Sequence, residues 1–229
     1  MSPPSLQIKF RGTTKSFGPL KVLHGVDFAV PPGQVLGLLG ENGAGKSTLM
    51  KILAGFEQAS GGAVLLNGQP LALTSSRDAE ARGIVLIHQE FSLAEDLTIA
   101  QNLFLGHEKK RGWGGLLLDE DTMRTEAQAA IAQVGLTADV NTRVKDLIVA
   151  EKQLVEIARA LLRKARLLIM DEPTATLTPT ETERLFGLMR QLKSEGVTLV
   201  YISHKLDEVG RMTDQVGVMR DGRCVAQQP

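Results

Sequence analysis

The sequence predicts an α/β fold, in which a mostly parallel sheet with flanking helices follows an N-terminal antiparallel β part and carries an inserted helical subdomain. Three observations lead to this prediction. An apolar run, Val35–Leu39, passes through a glycine-rich loop into a short helix-forming segment that ends at Gly55. Leu167–Met170 and Val197–Ile202 have the length and composition of strands buried on both faces. Between about 90 and 163 the pattern becomes helical, so strands and helices alternate around an insertion.

The first third of the chain favours β-structure. Leu6–Phe10 alternates between apolar and polar residues, and Val22–Val30 does so less strictly before a Pro-Pro-Gly segment. Gly61–Gly68 is typical of a strand that enters an Asn-Gly turn, which favours a hairpin. Gly83–Gln89 predicts one more strand, ending in a polar pair.

Two patterns predict helices in the inserted block. Ala127–Leu136 is alanine-rich and contains a glycine stop. A second helix is expected to pack through one face, formed by Leu154, Ala158, Leu161 and Ala165 and flanked by Val155 and Leu162. The basic, glycine-rich stretch Lys109–Gly115 could be a ligand loop, but an exposed connector is the favoured interpretation.

The last third resumes the alternation of helix and strand. Thr178, Pro179 and Glu181 form a capping-box sequence with proline at the first helical position, and the helix is expected to end near Gly196. Val216–Val225 predicts a hairpin around an Asp-Gly turn.

Composition limits the class of protein. The chain has 229 residues, is 43% hydrophobic, and balances 26 Lys and Arg against 26 Asp and Glu, so nothing favours nucleic acid as a partner. A single cysteine excludes an internal disulfide and fits a reducing compartment. The N-terminus lacks the blocks of a signal peptide, and no run approaches the ~18 apolar residues of a membrane span. We therefore expect a cytosolic protein that reaches a membrane only through a partner.

The glycine-rich loop indicates nucleotide binding. It matches the pattern G-x-x-x-x-G-K-[ST], in which backbone amides and a helix N-terminus converge on phosphate. Lys46 is expected to reach the terminal phosphates of a nucleoside triphosphate, and the Ser47 hydroxyl to bind Mg²⁺. A chance match is disfavoured by the strand before the loop and the helix after it. The predicted nucleotide-binding residues of the loop are Gly40, Asn42, Gly43, Ala44, Gly45, Lys46, Ser47 and Thr48.

Polar residues follow three of the predicted strands. Asp171 and Glu172 come after one strand, with Asp171 expected beside the metal and Glu172 as general base for the attacking water. An acidic pair could instead be an ordinary helix N-terminus. Gln89 and His204 follow two other strands, and carboxyl ends of strands are where such sheets build their sites.

These segments, in this order, resemble the nucleotide-binding domain of an ATP-binding cassette (ABC) protein, a P-loop NTPase fold. The resemblance rests on Gln89, Leu147–Gln153, Leu167–Glu172 and His204, and it covers essentially the whole chain, residues 1–229. It implies a core of residues 1–89 and 164–229 and a helical subdomain of about 90–163.

The resemblance also implies site roles beyond those of the loop. Phe17 would stack on adenine, unless it is simply a packed aromatic. Gln89 would ligate Mg²⁺ and couple the metal and γ-phosphate to a partner, and His204 would contact the γ-phosphate beside Glu172. Residues 175–178 correspond to a loop that contacts a second cassette.

Three segments resemble more narrowly the first cassette of tandem ATPases that energise bacterial monosaccharide import of the ribose, galactose and xylose types. They are Gly40–Leu53, Leu154–Leu161 and Tyr201–Lys205. Related cassettes that serve the transport of nucleosides or autoinducers share these sequence segments. The resemblance implies an ATPase peripheral to the cytoplasmic face of the cell membrane. Its partners would be a second cassette, permease subunits and, indirectly, a solute-binding protein, and the chain could be the first half of a tandem protein. The alternatives are a soluble ABC-type ATPase acting on ribosomes or nucleic acid, and a regulatory cassette that only binds nucleotide.

One segment departs from the family pattern. Where the family has Leu-Ser-Gly-Gly-Gln, opposite the partner's ATP, this chain has Leu147, Ile148, Val149, Ala150 and Glu151. It lacks the serine hydroxyl, has Cβ atoms in place of glycine, and carries a carboxylate expected to point towards polyphosphate. We therefore expect an unequal pair of ATP sites, with the slow one completed by this segment.

Overall fold

The computed structural model describes residues 6–111 and 117–228, so residues 112–115 of the basic, glycine-rich stretch lie outside the described residues. The chain divides into two compact units. Unit 1 comprises residues 1–89, 165–175 and 182–229, and unit 2 comprises residues 90–164 and 176–181.

The centre of unit 1 is a six-stranded sheet in the order β12-β11-β3-β10-β9-β6. The five strands from β11 to β6 in this order are parallel to one another, and only the edge strand β12 is antiparallel. The strands are β3 (Val35–Leu39), β6 (Ile84–Ile87), β9 (Leu167–Asp171), β10 (Thr198–Ile202), β11 (Gln215–Arg220) and β12 (Arg223–Gln228). Every residue of β10 is buried, because helices or strands cover both faces of a central parallel strand. The predicted α/β fold with a mostly parallel sheet is confirmed.

An antiparallel sheet in the order β2-β1-β4-β5 forms the N-terminal part of unit 1. Its strands are β1 (Ile8–Phe17), β2 (Leu20–Val30), β4 (Gly61–Leu66) and β5 (Gln69–Pro70). Asn67 and Gly68, between β4 and β5, have φ of 51° and 82°, which a tight hairpin turn requires at both central positions. The predicted Asn-Gly turn is confirmed, as is the later turn at Asp221 and Gly222.

The main core of unit 1 lies between these two sheets and includes Phe10, Phe28 and Leu38. Its helices are α1 (Lys46–Leu53), α2 (Ser76–Ala81), α6 (Pro179–Ser194) and α7 (Leu206–Met212). The first residues of α6, up to 181, belong to unit 2. At that end the predicted capping box forms, since the Glu181 carboxylate accepts from the Thr178 amide at 2.8 Å and the Thr178 hydroxyl accepts from the Glu181 amide at 3.4 Å.

Unit 2 contains α3 (Ile99–Phe104), the antiparallel strands β7 (Lys110–Arg111) and β8 (Leu117–Leu118), α4 (Glu120–Gln133), a 3-10 turn (Val144–Asp146) and α5 (Val149–Leu162). The predicted packed face of α5 is wrong in part, because Leu154 and Leu161 are only half-buried and the helix ends before Ala165. Ala158 is buried as predicted, and so are Val155 and Ile157, which point to different sides of the helix. Apolar residues occupy most positions of this helix, so periodicity alone left the orientation of its face open.

No described helix combines the length and the apolar character that crossing a bilayer requires.

Candidate active site

The glycine-rich loop connects the end of β3 to the start of α1, and two of its glycines are required by space. A Cβ on Gly40 would lie 2.4 Å from the Met219 carbonyl oxygen, and one on Gly45 would lie 2.7 Å from a Leu23 methyl group. Both also have positive φ, of 155° and 96°. Gly43 has φ of 83° but nothing within 4 Å of its Cβ position, so that side of the loop is open.

The N-terminus of α1 opens from this loop as an anion-binding end. Gly45 is the N-cap residue and has no side chain to accept a hydrogen bond from the first turn. The amides of that turn have no intrahelical acceptor, and the helix dipole adds positive potential at the same place. The loop therefore presents backbone donors to a negatively charged ligand.

Lys46 is held against the loop rather than extended into solvent. It is 6% exposed, and its Nζ donates to the carbonyl oxygens of Gly40 at 2.6 Å and Glu41 at 2.9 Å. These two bonds fix the ammonium group at the loop, where a phosphate held by the α1 amides can meet it.

Ser47 and Asp171 form the candidate metal site. Asp171 ends β9, and the Ser47 side chain lies close enough to its carboxylate to favour the ionised form. Burial raises the pKa of Asp171 above its ordinary value, and the charge of Glu172 raises it further. Hard oxygen ligands are those Mg²⁺ prefers, and a divalent cation would relieve the cost of a buried carboxylate. The residues present therefore fit Mg²⁺.

Gln89 lies two residues beyond β6, which pairs with β9 in parallel register. Its side chain is exposed. The pairing places Gln89 at the same edge of the sheet as Asp171.

Glu172 and His204 meet at the carboxyl ends of β9 and β10. The parallel register sets Asp171 beside Ile202, and the Glu172 amide donates to the Ile202 carbonyl at 3.0 Å. The Glu172 Oε1 and His204 Nδ1 atoms are 3.2 Å apart. The Glu172 side chain is 15% exposed, whereas that of His204 is 58% exposed. The carboxylate is thus sheltered, while the imidazole faces outward.

Glu172 also has a strained backbone. Its φ of 49° lies in the left-handed region, which a residue with a Cβ rarely adopts. Such conformations cost about 1–3 kcal/mol and persist only where the surroundings enforce them. Here the bond to Ile202 and a bond from the Ala175 amide to the Glu172 carbonyl at 3.2 Å hold it in place.

Phe17 ends β1 and is 45% exposed, so it is not simply a packed core aromatic. The ammonium group of Lys15 lies over its ring at 4.7 Å from the centroid. Lys15 is fixed by Glu57 at 2.7 Å and by the Gln58 carbonyl at 2.8 Å. No local pattern points to Lys15, because its partners Glu57 and Gln58 lie about 40 residues away in the chain.

Residues 147–151 lie at the start of α5, in unit 2. Ile148 is the N-cap residue and is 60% exposed, and Val149 is 41% exposed. The Glu151 carboxylate accepts from the Ile148 amide at 3.0 Å. The charge is therefore engaged by the helix's own N-terminus, which the sequence prediction of a carboxylate aimed at polyphosphate did not anticipate.

Comparison with known proteins agrees with this arrangement. The chain is 49% identical over 222 residues to the "Ribose import ATP-binding protein RbsA 2" of Rubrobacter xylanophilus, covering 96% of this chain and 42% of that protein. It is 46% identical over 226 residues to the "Ribose import ATP-binding protein RbsA" of Corynebacterium glutamicum, covering 99% of this chain and 43% of that protein. The chain thus spans less than half the length of these curated relatives.

A solved structure shares the fold across nearly the whole chain. It is described as the crystal structure of a nucleotide-free ATP-binding cassette from an ABC transporter, with a TM-score of 0.86 and 28% identity, covering 98% of this chain and 91% of that chain. The family profile described as "ABC transporter" matches residues 23–175, which include the glycine-rich loop, Gln89 and the Asp171-Glu172 pair. Since this match covers more than half of the sequence, the chain belongs to the ABC transporter family.

Proposed function

We propose that this chain is the ATP-binding and ATP-hydrolysing part of an ABC importer that takes up a monosaccharide. The observation that carries the ATPase proposal is the sheltered Glu172 carboxylate, next to His204 and one residue from Asp171, at the sheet edge that also presents the loop. The solute class is supported by the names of the two relatives, both ribose import proteins.

The loop and its surroundings would bind the nucleotide. Backbone amides of residues 40–48 and the α1 N-terminus receive the phosphates, and Lys46 supplies a positive charge to the terminal ones. The exposed Phe17 ring stacks on adenine, and the Lys15 ammonium group lies over the same ring.

Ser47, Asp171 and Gln89 would hold Mg²⁺, which when bound neutralises developing charge on the β- and γ-phosphates. Glu172 accepts a proton from the attacking water as the water oxygen forms its bond to the γ-phosphorus. The bond from phosphorus to the bridging oxygen then breaks, releasing ADP and phosphate. His204 donates towards the γ-phosphate while its Nδ1 remains next to Glu172.

Assembly follows from the same proposal. One nucleotide-binding domain with a core of residues 1–89 and 164–229 and a helical subdomain of about 90–163 would pair with a second cassette through residues 175–178. The chain matches 42% and 43% of these relatives, which supports a longer protein, and the sequence resemblance is to the first cassette of a tandem protein. The cassette pair would sit on permease subunits at the cytoplasmic face of the membrane, with a solute-binding protein acting outside.

The two ATP sites of such a pair would be unequal. The site built on Lys46 and Glu172 turns over ATP when the other cassette supplies a regular signature. The reciprocal site receives the exposed apolar side chains of Ile148 and Val149 in place of a hydroxyl and a glycine. In the full transporter, Ile148→Ser with Glu151→Gln is expected to raise ATP turnover per dimer, and unchanged turnover at both sites would contradict the asymmetry.

The test of the main proposal is Glu172→Gln in the assembled transporter. We expect ATP hydrolysis to fall about 100-fold or more, as for loss of a general base, with ATP affinity retained. Glu195→Gln, which changes an exposed carboxylate bonded to Gln191, is the matched control and should hydrolyse ATP normally. Wild-type protein that binds ATP without turnover would indicate a regulatory cassette instead, and salt-sensitive nucleic-acid binding would indicate the soluble alternative. Uptake of labelled ribose by vesicles carrying the transporter tests the solute.

A further inference from the structure

A hydrogen-bonded polar cluster joins the segments that follow Glu172 and His204 in the chain. It consists of Thr174, Tyr201, Lys205 and Glu208, and will be called the Glu208 cluster. Tyr201 is fully buried and Thr174 is 2% exposed, so these hydroxyl groups are removed from water and must be satisfied internally.

Glu208, on α7, is the acceptor at its centre. One carboxylate oxygen accepts from the Tyr201 hydroxyl at 2.5 Å and from the Thr174 hydroxyl at 2.6 Å. The other accepts from the Lys205 ammonium at 3.0 Å. Lys205 also donates to the Thr174 carbonyl oxygen at 3.2 Å, which closes the cluster.

The charge state of Glu208 agrees with this geometry. Burial would raise its pKa, but the hydrogen bonds from Thr174, Tyr201 and Lys205 outweigh that and hold the pKa below its ordinary value. Burial, together with the bond to Glu208, raises the pKa of Tyr201, which therefore stays a donor. The cluster is a carboxylate with three donors, and it rigidifies what it joins.

What it joins are the two loops that carry the proposed chemistry. Thr174 lies two residues after Glu172, and Lys205 directly follows His204. Glu172 has a left-handed backbone, and its carboxylate lies 3.2 Å from the His204 ring nitrogen. The Glu172 side chain is 15% exposed, whereas that of His204 is 58% exposed. An exposed imidazole does not fix that distance by itself, but the hydrogen bonds of Lys205 join the residue after His204 to Thr174 and Glu208.

We propose that Glu208 is a positioning residue for ATP hydrolysis, which sets Glu172 against His204 by tying Thr174 and Lys205 to α7. This inference rests on the proposed function, because it assigns Glu208 a role in the same reaction. Tyr201 contributes through its hydrogen bond to Glu208. Its ring packs edge-on against the ring of Phe186, with the two ring centroids 6.1 Å apart, and this packing orients the hydroxyl group.

The experiment compares three variants in the assembled transporter. Glu208→Gln keeps the shape but removes the charge, and Tyr201→Phe keeps the ring but removes one donor. Glu183→Gln is the matched control, because Glu183 also binds α7, through Arg211 at 2.6 Å, without touching the cluster. We expect kcat to fall about tenfold in Glu208→Gln and less in Tyr201→Phe, with KM for ATP nearly unchanged, because positioning of a general base affects the reaction rather than binding. Glu183→Gln should match the wild type.

A purely structural role would lower thermal stability and affect KM and kcat together. The decisive readout is therefore Glu208→Gln in a His204→Ala background. If Glu208 acts through the Glu172 and His204 pair, the further loss of kcat should be small there, because the pair is already broken. An unchanged kcat in Glu208→Gln, or the same fold loss with and without His204, would overturn the inference while leaving the proposed ATPase intact. A wild-type transporter without ATPase activity would overturn both.

Discussion

The α5 N-terminus offers a direct test of how Ile148 acts in this fold. Ile148 is the N-cap residue, with φ of −71° and ψ of 163°, a conformation in which serine, threonine or aspartate usually caps a helix. Isoleucine has no acceptor, but Glu151 already bonds back to the Ile148 amide at 3.0 Å. Half of a capping box is therefore in place, and Ile148→Ser would complete it.

Two terms of similar size decide the effect on stability. A serine cap is worth about 1 kcal/mol relative to alanine. Ile148 is 60% exposed, so it buries about two fifths of its surface, and losing this costs about 0.6–1.2 kcal/mol at 1.5–3 kcal/mol for full burial. We expect Ile148→Ser to be within about 0.5 kcal/mol of the wild type, and Ile148→Ala to be about 1 kcal/mol less stable than Ile148→Ser.

The assay is urea unfolding followed by circular dichroism, with thermal unfolding as a second measurement. The difference between the serine and alanine variants corresponds to about 2–4 °C in Tm for a chain of this size. Ile148→Ala is the matched control, because it removes the same apolar side chain without adding an acceptor. Equal midpoints for the two variants would refute the capping argument.

Three further predictions follow from the site and the fold. Lys46→Met removes the ammonium group that donates to two carbonyl oxygens of the loop. This change should weaken ATP binding by about tenfold or more, measured by nucleotide titration. Gly187→Ala, in α6 with nothing within 4 Å of its Cβ position, should stabilise the protein by about 0.5–1 kcal/mol, whereas Gly55→Ala should destabilise it, because its Cβ would lie 2.3 Å from a carbonyl oxygen at a φ of 73°. Asp214→Asn should be less stable than the wild type at pH 7. Although burial opposes it, bonding to Lys193 holds the folded-state pKa of Asp214 below 3.8, so its contribution is present above that pH and is lost as the pH falls through the lower folded value.

Each of these has a result that would contradict it. Unchanged ATP affinity in Lys46→Met would mean that the ammonium group does not reach the phosphates. A destabilised Gly187→Ala would show an unseen contact at that position. A stability gap between wild type and Asp214→Asn that persists undiminished at pH 2–3, measured by urea unfolding, would mean that the ionisation of Asp214 is not its cause.

Local sequence was enough to predict the elements whose causes are local. The loop at 40–48, the Asn67-Gly68 turn and the Thr178–Glu181 capping box all arise from contacts within a few residues, and the structure has each of them. The order of the six strands cannot be predicted from local sequence, because β3 pairs with β10 and β11, which lie more than 150 residues later. Nothing in the periodicity of a buried strand names its neighbour.

The candidate site also has some features that local sequence predicts and others that it does not. The sequence predicted which residue types stand at strand ends, but not that Glu172 and His204 lie 3.2 Å apart or that Glu172 adopts a left-handed backbone. The sequence pattern contains no sign of Glu208, since that carboxylate acquires Thr174 and Tyr201 as partners only when α7 packs against the sheet.

By itself, then, the sequence determined a glycine-rich loop of the nucleotide-binding pattern, the candidate residues for the proposed hydrolysis and an altered segment at Leu147–Glu151. Each follows from residue type and short spacing. Only the tertiary structure decided how the loops after β9 and β10 are held together, through hydrogen bonds between Thr174, Lys205 and Glu208. The reason is physical: hydrogen bonds between distant segments form only after non-local strand pairing has brought their backbones into register.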